Sequence, residues 1–332
     1  MLRLKSPGKM RFMQLPRFEA TFGGCEANVA VGLANLGMEA SFISVIPQNE
    51  IGDACVRELK KYGVGTELIV RKGDRLGIYF LEEGSNQRPS VIVYDRAHSA
   101  ISEVSPGEID WENALNGASW FHMSGITPAI STSAAELSLK AVTKAKEKGL
   151  TVSLDLNYRG KMWNYGKAAP EVMCELCKYT DIVTGNEEDY QRCLGIKVDV
   201  DVEKAEIDAG KYRIITDSLL KAYPNIKKVA VTFRESFSAD YNGWSAAMNN
   251  GDRFIVSRRY EIHNIVDRVG VGDTFSAGLI YGLNSLDSDE AAVEFAVAAS
   301  CLKHTIAGDL PLISRAEVEK LVQGQSSGRV QR

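Results

Sequence analysis

The alternation of strand-like and helix-like segments after residue 100 is the feature that most constrains the fold of this chain. Four short apolar runs indicate strands, at residues 119–123, 152–156, 181–184 and 228–233. Four longer segments carry helical spacing, at residues 132–148, 167–178, 186–194 and 212–222. Strands that alternate with helices through short connections predict an α/β fold, with a mostly parallel sheet covered by helices on both faces.

The end of this region predicts a change of strand direction. Residues 237–248 and 253–262 read as strands on either side of Asn-Asn-Gly-Asp, which is a strong hairpin turn signal. An antiparallel edge is therefore expected beside the parallel strands. Two apolar helices, 274–283 and 289–306, complete this half of the chain.

The first hundred residues predict a helical unit and a separate small sheet. Residues 27–36 have helical spacing before Gly37, residues 40–46 indicate a buried strand, and residues 51–61 indicate a second helix. The strand-like segments 76–82 and 91–95 predict a hairpin, to which residues 18–22 add a strand.

From these segments we expect two structural parts and a tail. An α/β core would take residues 25–73 and 99–322, a β lid would take residues 1–24 and 74–98, and residues 323–332 would be a disordered tail.

Composition and charge exclude several classes of protein. The chain has 332 residues, 45% of them hydrophobic and 25% charged, which is ordinary globular composition. The chain has 39 Lys and Arg against 43 Asp and Glu, and its basic residues are not concentrated in any one segment. No nucleic-acid partner is therefore expected. No apolar run has membrane-span length, and the first ten residues lack a signal-peptide core, so we expect a cytoplasmic protein without a membrane partner.

Cysteine and histidine positions give no metal or disulfide pattern. The six cysteines are scattered, and Cys174 and Cys177 are interpreted as thiols buried in a helix rather than a zinc or redox site. The four histidines are too dispersed for a metal cluster. His304 is interpreted as a surface histidine, with contact to a nucleotide base as the alternative.

Residues 267–278, DRVGVGDTFSAG, carry the strongest chemical signal. Two glycines flank one residue, Asp273 follows, and an apolar helix begins. Backbone N–H groups at a helix N-terminus bind anions such as phosphate. A carboxylate placed there can accept a proton from a hydroxyl that attacks the phosphate. The alternative is a glycine turn in which Asp273 is an ordinary N-cap.

Residues 22–37, FGGCEANVAVGLANLG, carry a second signal. A glycine pair precedes a helix whose first turn holds Asn28, a side chain that both donates and accepts hydrogen bonds. Such a group suits the hydroxyls of a sugar. The alternative is a helix start whose glycines serve packing alone.

Together the two segments resemble the signatures of the ribokinase-like (PfkB) carbohydrate kinases. The early signature is matched by Gly23, Gly24, Asn28, Leu36 and Gly37. The late signature is matched by Asp267, Gly270, Gly272, Asp273, Phe275 and Gly278. The resemblance covers nearly the whole chain and implies a ribokinase-like fold. Within the family it is greatest to kinases of 2-keto-3-deoxygluconate, through residues 74–79, 87–99, 122–129 and 153–159.

The resemblance also implies a role for each matching residue. Asp273 would be the general base, and the N–H groups of Gly270, Val271 and Gly272 would form the anion hole. The residues expected to contact the sugar are Gly24, Asn28, Tyr79, Tyr94, Arg96, Ile126, Arg159 and Asp309. Those expected at the nucleotide are Asn157, Tyr158, Asn186, Thr232, Arg234, Gly270 and Gly272. ATP would be the phosphoryl donor, and Mg²⁺ would accompany it on phosphate and water oxygens without protein metal ligands.

Two arginines favour an acid sugar independently of the resemblance. Arg96 and Arg159 each follow a predicted strand, where ligand crevices open in α/β sheets. A guanidinium group can bind a planar carboxylate through two hydrogen bonds. The alternative is that they pair with protein carboxylates such as Asp95 or Asp155.

The expected function is therefore transfer of the γ-phosphoryl group of ATP to the terminal hydroxyl of 2-keto-3-deoxygluconate. One alternative is a kinase of a neutral sugar such as fructose; another is a non-catalytic paralogue that binds sugar or nucleotide. A lid with exposed edges also predicts a homo-oligomer formed through the lids.

The chain departs from the family signatures at several positions. Arg268 replaces a threonine, and Val271 between the two glycines is expected to crowd the anion hole. Residues 234–238, RESFS, replace a Gly-x-x-Gly turn, and Asp189 replaces a glutamate three residues after Asn186. Family members also have a central strand ahead of the position of Met1. Its absence predicts that Met1 is internal to a longer product and that the sheet has unpaired ladder groups.

Overall fold

The protein is described by a computed structural model, which covers residues 1–14, 17–196 and 209–325. The strands are β1 (Leu2–Lys5), β2 (Glu19–Phe22), β3 (Ser44–Ile46), β4 (Ile69–Arg71), β5 (Ile78–Glu82), β6 (Val91–Asp95), β7 (Trp120–Ser124), β8 (Thr151–Asp155), β9 (Ile182–Gly185), β10 (Lys228–Ser238), β11 (Tyr241–Asn249), β12 (Phe254–Val256) and β13 (Tyr260–His263). The helices are α1 (Cys25–Asn35), α2 (Glu50–Lys61), α3 (Trp111–Ala114), α4 (Thr132–Glu147), α5 (Ala169–Cys177), α6 (Glu187–Leu194), α7 (Ala209–Ala222), α8 (Val271–Ser285), α9 (Asp289–Lys303) and α10 (Arg315–Val322).

The main sheet has the order β12-β11-β10-β9-β8-β7, with β13 pairing the start of β11. Strands β7, β8, β9 and β10 are parallel, and β11 is antiparallel to both β10 and β12. The expected α/β fold, with parallel strands and an antiparallel edge, is confirmed. The carboxyl ends of the parallel strands therefore meet at one side of the sheet, which is where ligands bind in folds of this class.

Both faces of this sheet are covered by helices. Along β10, the side chains of Val229, Val231 and Phe233 enter one apolar cluster with α4, α5 and α7, and Ala230 enters the opposite cluster with α8 and α9. Successive residues of a strand point to opposite faces, so burial of both sets requires a layer on each side.

Two glycines fix the position of α8 against α9. A Cβ on Gly278 would lie 2.8 Å from the Ala296 Cα, and a Cβ on Gly282 would lie 2.6 Å from the Ala292 Cα. Only glycine permits the two helix backbones to approach this closely. The pairing matters for function because the N-terminus of α8 carries the late glycine signature.

The smaller sheet has the order β2-β1-β5-β6. Strand β1 was not predicted from the sequence; it runs parallel to β5 and antiparallel to β2, and so forms the centre of this sheet. All four strands fall in the two ranges assigned to the lid. The residue division into lid and core remains a prediction.

Several predicted elements differ from the structure. The strand predicted at 237–248 is wrong at its start, because β10 continues to Ser238 and the chain turns at residues 239–240 before β11. The strand predicted at 40–46 is confined to β3, which pairs β4 in a separate two-stranded sheet. Helices α3 and α10 and strand β4 were not predicted. Residues 326–332 of the predicted tail lie outside the described residues.

The far edge of the main sheet is formed by β7, which pairs β8 and no other strand within the described ranges. The Glu26 side chain provides an acceptor for one backbone N–H of this edge, because the Ser124 N–H donates to Glu26 Oε1 at 3.2 Å. No helix within the described ranges is both long and apolar enough to cross a membrane. The six cysteines are free, as expected, and Cys174 and Cys177 lie in α5.

Candidate active site

A cleft of about 1050 Å³ lies between the lid and the carboxyl ends of the parallel strands. Its walls include almost every residue that the sequence predicted for the site: Gly24, Asn28, Tyr79, Tyr94, Arg96, Ile126, Asn157, Arg159, Asn186, Thr232, Arg234, Gly270, Val271, Gly272, Asp273 and Asp309. Tyr158 is the exception. Its N–H donates to Asp189 Oδ1 at 2.8 Å, next to the wall rather than on it.

The two sequence signatures meet at Asp273. The buried Asp273 carboxyl accepts a hydrogen bond from Asn28 Nδ2 at 2.6 Å. Asn28 Oδ1 in turn accepts from the Gly24 N–H at 3.2 Å. The N-cap of α8 is Gly270, in the left-handed conformation at φ 80°. The alternative of Asp273 as an ordinary N-cap is therefore wrong, because Asp273 lies in the first turn and contacts a helix 245 positions away.

Burial changes the acidity of Asp273. Desolvation raises the pKa of this carboxyl to about 7, with Asp309 and Glu26 adding to the rise and Asn28 and Arg159 opposing it. A carboxyl with that pKa is a much stronger base than an exposed aspartate and can still ionise near neutral pH. Those are the properties needed to accept a proton from a sugar hydroxyl.

Backbone donors lie beside this carboxyl. Because α8 begins at Val271, the N–H groups of Val271, Gly272 and Asp273 have no acceptor inside the helix. A Cβ on Gly272 would meet no atom within 4 Å, so this residue faces open space. The Val271 side chain packs in the apolar cluster of α8 and α9, and the residue also lines the cleft, so crowding of the N–H groups remains a prediction. Free N–H groups at a helix N-terminus are suited to binding an anion, and an anion hole here remains a prediction.

The glycines of both signatures make room for the Asp309 segment. A Cβ on Gly23 would lie 2.0 Å from Asp309 Oδ2, and a Cβ on Gly270 would lie 2.0 Å from the Asp309 carbonyl oxygen. Gly24 has φ 148°, which also favours glycine. Gly23 and Gly270 therefore allow the segment that contains Asp309 to approach both signatures closely.

Asp309 belongs to a buried network that sequence reasoning missed. Arg3 donates to Asp309 Oδ1 at 2.6 Å and to Asp267 Oδ2 at 2.5 Å. The Tyr79 hydroxyl also donates to Asp309 Oδ1, at 2.6 Å. No local pattern marks Arg3, since a charged residue at an alternate strand position usually faces water. That Tyr79 and Asp309 contact the sugar remains a prediction; here their polar atoms bind each other.

Among the described residues, the two arginines predicted to bind a carboxylate form no ion pair with one. Arg96 donates to the Met162 sulfur at 3.9 Å, and its buried Nε has no acceptor within the described ranges. Asp95, offered as an alternative partner, instead pairs with Arg75 at 2.7 Å. Arg159 donates to the Tyr158 carbonyl at 2.7 Å. Neither guanidinium forms an ion pair with any carboxylate in the described part of the chain.

Two further carboxyl groups lie near Arg159. Burial raises the pKa of Asp155 well above its ordinary value, and burial also raises that of Asp189. Desolvation lowers the pKa of Arg159, but several neighbouring groups, of which Asp189 acts most strongly, raise it, and the pKa rises overall. The guanidinium group therefore stays charged in the cleft.

Two side chains predicted to contact the nucleotide, those of Asn186 and Asn157, form hydrogen bonds with other residues of the protein. Asn186 caps α6 by accepting from the Asp189 N–H at 3.0 Å, and Asp189 Oδ2 accepts from the Asn186 N–H in return. Asn157, at a positive φ of 39°, donates to Ser124 Oγ at 3.2 Å. Their contact with nucleotide remains a prediction, as does that of Thr232.

His304 is buried, so its interpretation as a surface residue is wrong. Its Nδ1 lies 2.8 Å from the Ser300 carbonyl oxygen, and its ring meets Trp244 edge-on. Burial lowers the pKa of His304 to about 4, which leaves it neutral at pH 7.

The lid is bonded to the β10–β11 turn across the cleft. Lys9 Nζ lies 3.0 Å from Asp240 Oδ1, and the Asn86 N–H donates to Asp240 Oδ2 at 2.7 Å. The Ala239 N–H donates to the Asn86 carbonyl at 2.7 Å. These contacts tie the segments around Lys9 and Asn86 to the β10–β11 turn. Among the described residues, no group of three or more His, Cys, Asp or Glu side chains could hold a metal ion.

Known proteins share this fold and these signatures. The profile of the pfkB family carbohydrate kinases matches residues 4–310. A 2-dehydro-3-deoxygalactonokinase from Haloferax volcanii is 30% identical over 331 residues, covering 99% of this chain and 96% of that protein. A 5-dehydro-2-deoxygluconokinase from Shouchella clausii is 28% identical, covering 93% of this chain and 88% of that protein.

A solved structure is more similar still. The 2-dehydro-3-deoxygluconokinase of Thermotoga maritima superposes with a TM-score of 0.91 at 46% sequence identity. The superposition covers 98% of this chain and 97% of that chain.

Proposed function

The chain belongs to the pfkB family of carbohydrate kinases, and from that premise we propose that it transfers the γ-phosphoryl group of ATP to the terminal hydroxyl of 2-keto-3-deoxygluconate. Membership in the family makes it a sugar kinase. The choice of acceptor and the roles of individual residues are the proposal.

In the proposed reaction, Asp273 accepts the proton of the terminal hydroxyl. The hydroxyl oxygen then forms a bond to the γ-phosphorus of ATP while the bond to the β–γ bridging oxygen breaks, and ADP leaves. Asn28 fixes one carboxyl oxygen of Asp273, at 2.6 Å, and so turns the other towards the substrate. The carboxyl must be ionised to act, which its pKa of about 7 permits.

The N-terminus of α8 stabilises the transferring group. The charge that develops on the phosphoryl oxygens meets the free N–H groups of Val271, Gly272 and Asp273. Mg²⁺ would accompany ATP, held by phosphate oxygens and water, and would supply further charge neutralisation there. A cytoplasmic location, where ATP is abundant, belongs to the same proposal.

The observation that carries the acid-sugar proposal is the pair Arg96 and Arg159. Both line the cleft, and neither has a carboxylate partner among the described residues. Arg96 is half-buried and Arg159 is exposed, so both guanidinium groups are open to an anion that enters the cleft. A sugar acid provides a planar carboxylate for this purpose, and a neutral hexose does not.

The names of the relatives support the same substrate class. Each of the three denotes a kinase of a keto-deoxy derivative of gluconic or galactonic acid. The three substrates differ in the carbon that carries the keto group and in sugar stereochemistry. Measured activity with each acceptor is needed to choose among them.

A coupled ADP-release assay tests the proposal. The acceptor panel contains 2-keto-3-deoxygluconate, 2-keto-3-deoxygalactonate, 5-dehydro-2-deoxygluconate and fructose, with the Asp273→Asn variant as the inactive control. We expect the highest kcat/KM for 2-keto-3-deoxygluconate. A preference for fructose would establish the neutral-sugar kinase instead. Absence of ADP release with every acceptor would favour a non-catalytic binding protein, against which the intact Asp273–Asn28 pair argues.

A further inference from the structure

Glu26 is a carboxylate next to the active site that has no role in the reaction described above. It lies in the first turn of α1, two residues before Asn28, whose amide holds the Asp273 carboxyl. Its side chain is half-buried and lines a smaller cavity of about 80 Å³ rather than the cleft, and Arg96 lines both. Any effect of Glu26 on the reaction is therefore transmitted through other residues.

Two hydrogen bonds join Glu26 to the turn that follows β7. Its Oε1 atom accepts from the Ser124 N–H at 3.2 Å and from Thr127 Oγ1 at 2.6 Å. Between these two residues lies Ile126, which lines the cleft and whose N–H donates to Ser124 Oγ at 3.2 Å. The Glu26 carboxylate therefore ties helix α1 to a turn that forms part of the cleft wall.

The segment that follows β8 is bonded to both of these parts. Asn157 Nδ2 donates to Ser124 Oγ at 3.2 Å and to the sulfur of Cys25 at 3.3 Å. Arg159, which lines the cleft, follows Asn157 by two residues. Glu26 thus lies where α1, the turn after β7 and the segment after β8 meet.

The charge of Glu26 also acts on the proposed base. Burial is the main cause of the raised pKa of Asp273, and the negative charge of Glu26 adds to it. The other charged or titratable side chains that interact with Asp273 are Asp155, Asp309, Arg159, Lys303 and Cys25. A substitution of Glu26 alone leaves all of these groups present, so its effect on Asp273 can be measured separately.

We propose that Glu26 is a positioning residue, which ties the first turn of α1 to the turn after β7 and so holds Asn28 and Ile126 at the acceptor sugar. Its charge makes a second contribution, because a neighbouring negative charge makes Asp273 a stronger base. This inference rests on the proposed function in taking Asp273 as the base of a sugar kinase. It does not depend on which acceptor the enzyme prefers.

Two substitutions separate the hydrogen bonds of Glu26 from its charge. Glu26→Gln keeps an Oε1 acceptor and removes the charge, so the acid limb of kcat/KM should move to lower pH, with little change in activity above the limb. Glu26→Ala removes both hydrogen bonds and should lower kcat/KM for the sugar by about 10- to 100-fold, with KM for ATP unchanged.

The matched control is Glu171→Gln. Glu171 also lies in the first turn of a helix, α5, and accepts from a backbone N–H, that of Ala168, but it is exposed and lies outside the cleft. Neither its acid limb nor its kcat/KM should differ from the wild type. All variants are assayed with saturating ATP and with the acceptor of the panel that gives the highest kcat/KM.

The melting temperature gives a readout that needs no substrate. Ionisation of Asp273 destabilises the fold as the pH rises, and removal of the Glu26 charge reduces that cost. Relative to the wild type, the melting temperature of Glu26→Gln should therefore rise between about pH 6 and about pH 8. The rise should be absent when Glu26→Gln is combined with Asp273→Asn, because no carboxyl then ionises at that position.

A residue needed only for folding predicts different results. Wild-type kcat/KM in Glu26→Ala overturns the proposal, and so does an acid limb that stays in place in Glu26→Gln. A preference for fructose would defeat the proposed acceptor, and the same measurements made with fructose would still decide the role of Glu26. If no acceptor is phosphorylated, the proposed function fails, and the melting comparison alone supports or overturns the link between Glu26 and Asp273.

Discussion

At the scale of single residues, the site depends on charges whose partners are absent or reluctant to ionise. Asp273 is buried against one amide donor, and Arg96 and Arg159 have no carboxylate within hydrogen-bond reach among the described residues. Burial of the Asp273 carboxyl costs stability when it ionises, and the two arginines keep their charges free for a substrate. Three predictions follow from the chemistry of Asp273 and Arg159.

Asp273→Asn should lower kcat by about 10²–10⁴, which is the usual contribution of a general base. The affinity for ATP should change little, because the carboxyl group faces the acceptor hydroxyl. The raised pKa also means that ionisation of Asp273 costs stability as the pH rises from about 4 to about 7. The variant should therefore melt at a higher temperature than the wild type at pH 8, and the difference should shrink near pH 4. Turnover close to wild type would reject Asp273 as the base.

The pH dependence of kcat/KM should show an acid limb near pH 7. The free enzyme is active when Asp273 is ionised, and its pKa is about 7. The Asn28 hydrogen bond favours the ionised form and lowers that pKa. Asn28→Ala should therefore shift the limb to higher pH, which a pH series with saturating ATP would measure. A limb that stays in place, or moves to lower pH, would contradict the assigned base.

Arg159→Ala should reduce kcat/KM for 2-keto-3-deoxygluconate by about 10- to 100-fold, because a charge-assisted contact is lost. Residual activity on fructose should change far less, since a neutral sugar never used the charge. Arg159→Lys should recover part of the loss, because an ammonium group cannot make the two-pronged contact. Equal losses on both substrates, with a lower melting temperature, would indicate a structural arginine and favour the neutral-sugar kinase.

At the scale of elements, the lid and the catalytic helix are joined through the interior of the protein. Arg3 lies on β1, at the centre of the lid sheet, and its guanidinium group binds Asp267 and Asp309. Asp267 accepts in turn from the Val269 and Gly308 N–H groups. A strand of the lid thus fixes the segment that leads into the N-terminus of α8.

Arg3→Met should lower the free energy of unfolding by about 3–5 kcal/mol, because it leaves two buried carboxylates without their cation. Urea unfolding measures this change. The control is Arg315→Met, which removes an exposed pair with Glu319 and should cost less than about 1 kcal/mol. Similar small costs for both variants would show that the buried network contributes little to stability.

At the scale of the whole molecule, the lid has an uncovered apolar outer face. On β6, Ile92 and Tyr94 line the cleft, so the alternate residues Val91 and Val93 point outward and are exposed. The Phe18 and Phe80 rings lie 5.4 Å apart and extend the same face. No described segment covers it, and we expect two copies of the chain to associate there.

Val93→Glu should convert the expected dimer to a monomer, because it places a charge in the apolar contact. Sedimentation equilibrium at micromolar concentration measures the change. Val256→Glu is the matched control, because both valines are 49% exposed and Val256 lies on β12, away from the lid. A wild-type protein that sediments as a monomer would contradict the lid interface.

The sequence by itself determined the class of fold and most of the larger elements. Periods of two and 3.6 residues are local properties, so β8, β9 and α4 were predicted within one or two residues of their observed ends. The glycine signatures were also readable locally, because close approach and positive φ restrict the residue type. The error at the start of β11 arose where the chain reverses at residues 239–240 without a glycine or proline turn signal.

Only the tertiary structure decided which polar atoms find partners. The family resemblance implied that Asn28, Tyr79 and Asp309 contact the sugar, which remains a prediction; folding joins Asn28 to Asp273 and Tyr79 to Asp309. It also brings Arg3 to Asp309 across 306 positions and leaves Asn242 Nδ2 without an acceptor among the described residues. Hydrogen bonds between distant segments depend on where whole strands and helices pack, and no local pattern of residues encodes that distance.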